Sequence, residues 1–223
     1  MPENSLSPLP TAVQAILDQL IMRSPHLQGS CPGLIRAYQA LADNFQKGGI
    51  LYLCGNGGSF ADCIHIKGEL AKQFEMKRPL RDPQIIENLQ ESEWGELLVD
   101  KLEAGLPVVV LGESHALRSA FENDKDPVLS YAQELYSFIG RVRPGVFMGL
   151  STSGGAKNVN AALALAQACG LVTISFTGPK GGTLARAADI DWRAPGATTA
   201  LIQENQIALY HTLCQMLEAR FFA

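Results

Sequence analysis

Five short apolar runs constrain what this chain can fold into. They are Ile50-Leu51-Tyr52-Leu53-Cys54, Pro107-Val108-Val109-Val110-Leu111, Val146-Phe147-Met148-Gly149-Leu150, Leu171-Val172-Thr173-Ile174-Ser175-Phe176 and Asp189-Ile190-Asp191-Trp192. A strand with one wet face alternates apolar and polar residues, whereas a strand covered on both faces reads as a nearly continuous apolar run. Helical patterns separate the runs, around 127–141, 155–169 and 198–221. Strands alternating with helices indicate an α/β fold with a parallel sheet between two helical layers. Ligands of such sheets bind beyond the carboxyl ends of the strands.

Two more helices precede the first run. After a loose arm over 1–10, with prolines at Pro2, Pro8 and Pro10, a pattern of Val13, Ile16, Leu17, Leu20 and Ile21 starts at Thr11. A second helix spans about Pro32 to Gln46, with Leu34, Ile35, Tyr38, Leu41, Ala42 and Phe45 on one face, and Gly48-Gly49 ends it. These helices cover the sheet or form a helical subunit interface. With 223 residues, 47% of them hydrophobic, the chain suits one globular domain. No apolar stretch is long enough to span a membrane, and MPENSLSPLP lacks the marks of a secretory signal. A net charge of -4 gives no basic field for nucleic acid. Cys31, Cys54, Cys63, Cys169 and Cys214 form no CxxC pair and read as buried free thiols of a cytoplasmic protein. Cys63 lies two residues before His65, but helix geometry points the two side chains apart.

The segment 81–106 breaks the alternation with an apparent helix over Ile85 to Glu103. It carries Glu87, Glu91, Glu93, Glu96, Asp100 and Glu103 beside Trp94. It reads as a solvated surface helix, or as a lid or partner-binding element.

The chemistry concentrates in ILYLCGNGGSFADCIHIKGE, residues 50–69. A strand runs into the turn Gly55-Asn56-Gly57-Gly58-Ser59, and a helix follows. Glycines let backbone N–H groups approach an anion, and Ser59 adds a hydroxyl donor. One turn on, His65 and Glu69 share a helical face. A second loop, Ser151-Thr152-Ser153-Gly154-Gly155, follows the third run. Alone it reads as helix capping; as the second such loop it reads as phosphate binding. Lys157 adds charge there or is simply solvated. The turn Thr177-Gly178-Pro179-Lys180-Gly181-Gly182 reads as packing the short helix behind it. The last helix carries Gln203, Glu204 and His211. Helical phase pairs Glu204 with His211, while Gln203 lies about 80° off after two turns. Nothing in the sequence itself brings this helix to His65 and Glu69.

Taken together, CGNGGSFADCIHIKGELAKQF, GLSTSGGAKNVNAALALAQACGLVTISFTGPKGGTLARAADIDW and LIQENQIALYHTLCQMLE, with Asn123-Asp124, resemble the sugar isomerase (SIS) domain family and its phosphoheptose isomerase branch. The resemblance covers most of the chain outside 81–106, which looks inserted. It implies a single SIS domain over 1–223, with a five-stranded parallel sheet, assembled as a homotetramer with sites at subunit interfaces. It implies substrate contacts from Asn56, Gly57, Gly58, Ser59, Asn123, Asp124, Ser151, Thr152, Ser153 and Gln203. It also implies a divalent metal, commonly zinc, on His65, Glu69, Gln203 and His211, and acid/base roles for Glu69 and His211. The implied reaction interconverts sedoheptulose 7-phosphate and a heptose 7-phosphate through an enediol, in the supply of lipopolysaccharide heptose. A non-catalytic relative that binds a replication initiator is the alternative, and the His65/Glu69 pair favours the enzyme. Three departures from the family pattern bear on the substrate: Gly155-Ala156 where Asn and Ser are usual, Gln73 for Arg, and Ala200 for Asp.

Overall fold

The computed structural model describes residues 8–139 and 144–223. The arm expected over 1–10 therefore lies mostly outside the described residues, as does the end of the helix expected over 127–141. The five apolar runs form one sheet: β1 (Ile50–Cys54), β2 (Val108–Val110), β3 (Gly145–Ser151), β4 (Val172–Thr177) and β5 (Ile190–Arg193). Their order is β2-β1-β3-β4-β5, and every pairing is parallel.

Two apolar layers explain the unbroken runs. Leu51, Leu53, Val146, Met148 and Leu150 face one core. There they meet α1 (Thr11–Arg23), α2 (Cys31–Gln46), α3 (Gly58–Ala71) and α10 (Thr199–Phe222). Tyr52, Cys54 and Phe147 face the other, against α7 (Ser130–Ile139), α8 (Lys157–Ala168) and α9 (Gly182–Ala187). Successive strand residues point to opposite faces, so β1 and β3, dry on both, are apolar nearly throughout, whereas the buried Thr173 and Ser175 of β4 bond to Asp189 and Asp191. Four of the five cysteines are buried, as expected; Cys169, at the end of α8, is exposed instead.

The inserted segment departs from expectation. The single helix read over Ile85 to Glu103 is two, α4 (Pro83–Leu89) and α5 (Gly95–Lys101). Asp82 starts α4 by accepting from the Gln84 and Ile85 N–H groups, and the chain turns back where Gly95 N–H reaches Ser92 O. The Gly95 backbone lies so close to the Leu89 carbonyl that a Cβ there would sit 2.0 Å from the oxygen. A side chain at 95 would force the hairpin open. The segment enters and leaves through neighbouring chain: Leu80 N–H bonds Leu102 O, Ala104 N–H bonds Arg78 O, and Pro79 bridges Glu103. A further helix, α6 (His115–Asp124), follows β2 and had no counterpart among the helical patterns.

Candidate active site

Chain order reverses between β1 and β3. From β1 the chain moves outward to β2, then crosses back to β3 on the other side. In open α/β sheets a crevice opens at such a point, outside the carboxyl ends of the strands. Both hydroxyl-glycine loops lie there. The first leads from β1 into α3, with Gly57 before the helix and Ser59 buried in its first turn. The second leads from β3 into α8. Asn56 Nδ2 donates to Asn158 Oδ1 at 2.8 Å, and Asn158 Nδ2 donates back to Asn56 Oδ1 at 3.0 Å. This reciprocal amide pair ties the first loop to the start of α8. From below, the Tyr131 hydroxyl donates to Gly55 O at 2.6 Å and lies 3.0 Å from Asn56 Oδ1.

Two helix starts thus point at one space. The first N–H groups of a helix have no partner inside it and carry its positive dipole end. Ser151 Oγ and Ser153 Oγ accept the Gly154 and Gly155 N–H groups, at 3.2 Å each, so each hydroxyl keeps its proton to donate. Gly154 takes φ 66, and a Cβ there would lie 1.8 Å from Gly181 O. The third glycine turn therefore packs the second loop as well as α9. A cavity of about 320 Å³ opens beside Thr152, Ser153, Lys180 and Thr198.

The residues expected to carry acid/base chemistry assemble across the fold. His65 and Glu69 lie one turn apart on α3, with His65 Nε2 3.0 Å from Glu69 Oε1. Helix α10 packs on α3 and brings His211 Nε2 to 3.4 Å from His65 Nε2. Ligand atoms of His65, Glu69 and His211 all lie within 4.8 Å of one another. Tetrahedral zinc ligands at about 2.0–2.1 Å are roughly 3.3 Å apart, close to the 3.0 and 3.4 Å from His65 Nε2 to Glu69 Oε1 and His211 Nε2. Two imidazoles and a carboxylate are also the right donor set. The residues present fit a zinc-type ion. Gln203 sits elsewhere on α10: a Cβ on Gly58 would lie 2.2 Å from Gln203 Nε2, so its amide covers the start of α3. Asn123 and Asp124 end α6, exposed, with Asn123 Nδ2 bonding Asp124 Oδ1 at 2.9 Å.

Burial and the neighbouring His65 push the His211 pKa down and favour its neutral form. Cys63 is fully buried, burial holds its thiol well above the usual range, and it does not join the His65, Glu69 and His211 cluster.

The comparisons agree with this geometry. No protein-family model matches the chain. A phosphoheptose isomerase from Roseiflexus sp. (strain RS-1) is 31% identical over 197 residues, 88% of this chain and 86% of its own. The chain belongs to the phosphoheptose isomerase family. It is thereby an enzyme of the phosphosugar isomerase class. The phosphoheptose isomerase structure from Neisseria gonorrhoeae superposes with a TM-score of 0.68 at 25% identity, covering 93% of this chain and 97% of that one. That from Francisella tularensis shares the fold with a TM-score of 0.71 at 23% identity, covering 93% and 96%.

The departures from the phosphoheptose isomerase pattern fall on the rim of the site. Ala156 is the N-cap of α8 and offers no side-chain cap. Ala200 is exposed in the first turn of α10. Gln73 follows α3, its N–H bonded to Glu103. Sequence reading missed Tyr131, Asn158, Asp62, Tyr210 and the Arg78–Glu218 pair. Only Asp62 carried a signal, three residues before His65 on the same helical face.

Proposed function

We propose that this enzyme interconverts sedoheptulose 7-phosphate and D-glycero-D-manno-heptose 7-phosphate. The convergence of His65, Glu69 and His211 beside two phosphate-type loops carries the reading. Phosphate is held by Ser59, Ser151, Thr152 and Ser153 with the loop amides of Gly57 and Gly58. Asn56, already paired with Asn158, and Gln203, over Gly58, flank the sugar. Asn123 and Asp124 stand at the far end of α6, about 15 Å along the helix from its start beside β2. We assign them to a neighbouring subunit's site in a homotetramer.

Glu69 removes the proton from C1 of the ketose, and its electron pair forms the C1–C2 double bond of an enediol. His211 gives a proton to the C2 carbonyl oxygen; Glu69 then returns its proton to C2 while His211 takes back the one leaving O1, which yields the aldose. His65, Glu69 and His211 would hold the divalent ion, zinc by donor chemistry. Such an ion supplies Lewis-acid polarisation of a carbonyl. We place the reaction in the cytoplasm, where the free cysteines stay reduced.

The test is Glu69→Gln assayed on sedoheptulose 7-phosphate. Turnover falls by roughly 10²–10⁴-fold while binding of the phosphosugar persists. Wild-type turnover in that variant refutes the assignment of the base.

A further inference from the structure

Behind the His65 ring lies a buried chain of polar groups that the reaction itself does not use. Tyr210 is fully buried, and its hydroxyl oxygen is 2.8 Å from His65 Nδ1. The same hydroxyl donates to Asp62 Oδ1 at 3.3 Å. Asp62 is 8% exposed, and its second oxygen, Oδ2, has no hydrogen-bond partner among the described residues. All three residues follow from local helix geometry. Asp62 precedes His65 by three positions on α3, so both lie on one face. Tyr210 and His211 are neighbours on α10, about 100° apart around its axis. One turn of α10 therefore supplies a group to the front of the His65 ring and another to its back.

A tyrosine hydroxyl has one proton. With that proton donated to the Asp62 carboxylate, the oxygen can only accept from His65, so Nδ1 must carry the hydrogen. The lone pair then resides on Nε2, the atom facing Glu69 and His211. Nε2 of each histidine and Oε1 of Glu69 converge on one spot. We propose that Tyr210 and Asp62 are positioning residues that hold the His65 ring and direct its Nε2 lone pair to a divalent cation. Their hydrogen bonds lock ring rotation and raise the donor strength of Nε2, as outer-shell partners of metal-binding histidines do. This inference rests on the reading of His65, Glu69 and His211 as a cation site.

The experiment compares wild type with Tyr210→Phe, which removes one oxygen and keeps the ring. Zn²⁺ affinity is measured by chelator competition, and Co²⁺ uptake by its visible spectrum. The His65 Nδ1–H of the Zn²⁺-loaded protein is followed by NMR on ¹⁵N-histidine-labelled material; the chain has only four histidines. Wild type is expected to give a slowly exchanging Nδ1–H signal. In Tyr210→Phe that signal is lost and Zn²⁺ binds roughly 10–100-fold more weakly. Asp62→Asn, with a weaker acceptor, gives a smaller loss in the same direction. Equal Zn²⁺ affinity in wild type and both variants overturns the positioning role and leaves the cation site standing. A wild-type protein that takes up neither Zn²⁺ nor Co²⁺ overturns both. The wild-type Nδ1–H measurement needs no variant, so a rapidly exchanging signal there also overturns the proposal.

Discussion

Arg78 and Glu218 form an ion pair of 2.8 Å whose side chains are 0% and 1% exposed. The pair clamps the end of α3 to α10. Arg78 donates to the carbonyls of Leu70 and Glu69, and Glu218 accepts from the Phe74 and Glu75 N–H groups. Glu69 and His211 lie on these two helices, so the clamp sets how far apart their side chains stand.

Breaking the clamp should cost stability first. Glu218→Ala leaves a guanidinium buried without its partner, a loss of about 3–5 kcal/mol. Urea denaturation checks it; a loss below 1 kcal/mol would mean that the backbone contacts suffice.

The same pair predicts an acid limit. Burial alone would raise the Glu218 pKa, but the N–H groups of Phe74, Glu75 and Met76 and the Arg78 side chain outweigh it and lower the pKa. A folded-state pKa below the unfolded one means that the unfolded chain binds the proton more readily. The contribution is complete above the ordinary glutamate value of about 4.3 and fades as pH falls through the lower folded value. Melting temperature should therefore drop below about pH 4.3 more steeply in wild type than in Glu218→Gln.

Ala156→Ser restores a side-chain cap at the start of α8 and adds a hydroxyl at the rim of the second loop. Capping should add about 1 kcal/mol, roughly 2–4 °C in melting temperature for a chain of this size. The KM for a phosphosugar should fall with it. A higher Tm with an unchanged KM would place the phosphate away from α8.

Two alanine substitutions should behave oppositely. Gly58→Ala meets the movable end of Gln203, whereas Gly154→Ala meets the fixed Gly181 carbonyl at φ 66. The first should weaken substrate binding with little change in Tm. The second should destabilise by more than about 1 kcal/mol, as calorimetry would record.

The sheet was legible because burial on both faces leaves an unbroken apolar signature. Loops such as Gly55–Ser59 were legible because backbone approach to an anion selects small residues. The α4–α5 break was not, since acidic residues through 87–103 suit one long solvated helix and only the contact of Gly95 with Leu89 decides otherwise. Helix α6 is polar over most of its length, and its apolar stripe, Leu117, Ala120 and Phe121, is too short to stand out. The meeting of His65 with His211, 146 positions apart, depends on how α10 crosses α3. Tyr210 was invisible for a simpler reason: an aromatic residue in a buried helix reads as core, and its hydroxyl matters only once the His65 ring lies against it.

The hairpin of α4 and α5 departs from the body at Leu80 and returns at Leu102, two residues joined by one backbone hydrogen bond. Replacing Asp82–Lys101 with a short glycine-serine turn should keep the fold and the turnover number. A rise in KM instead would reveal a lid. An appendage held by a single neck can grow, shrink or vanish over evolutionary time without re-threading the sheet, which leaves the isomerase and its outgrowth free to diversify at separate rates.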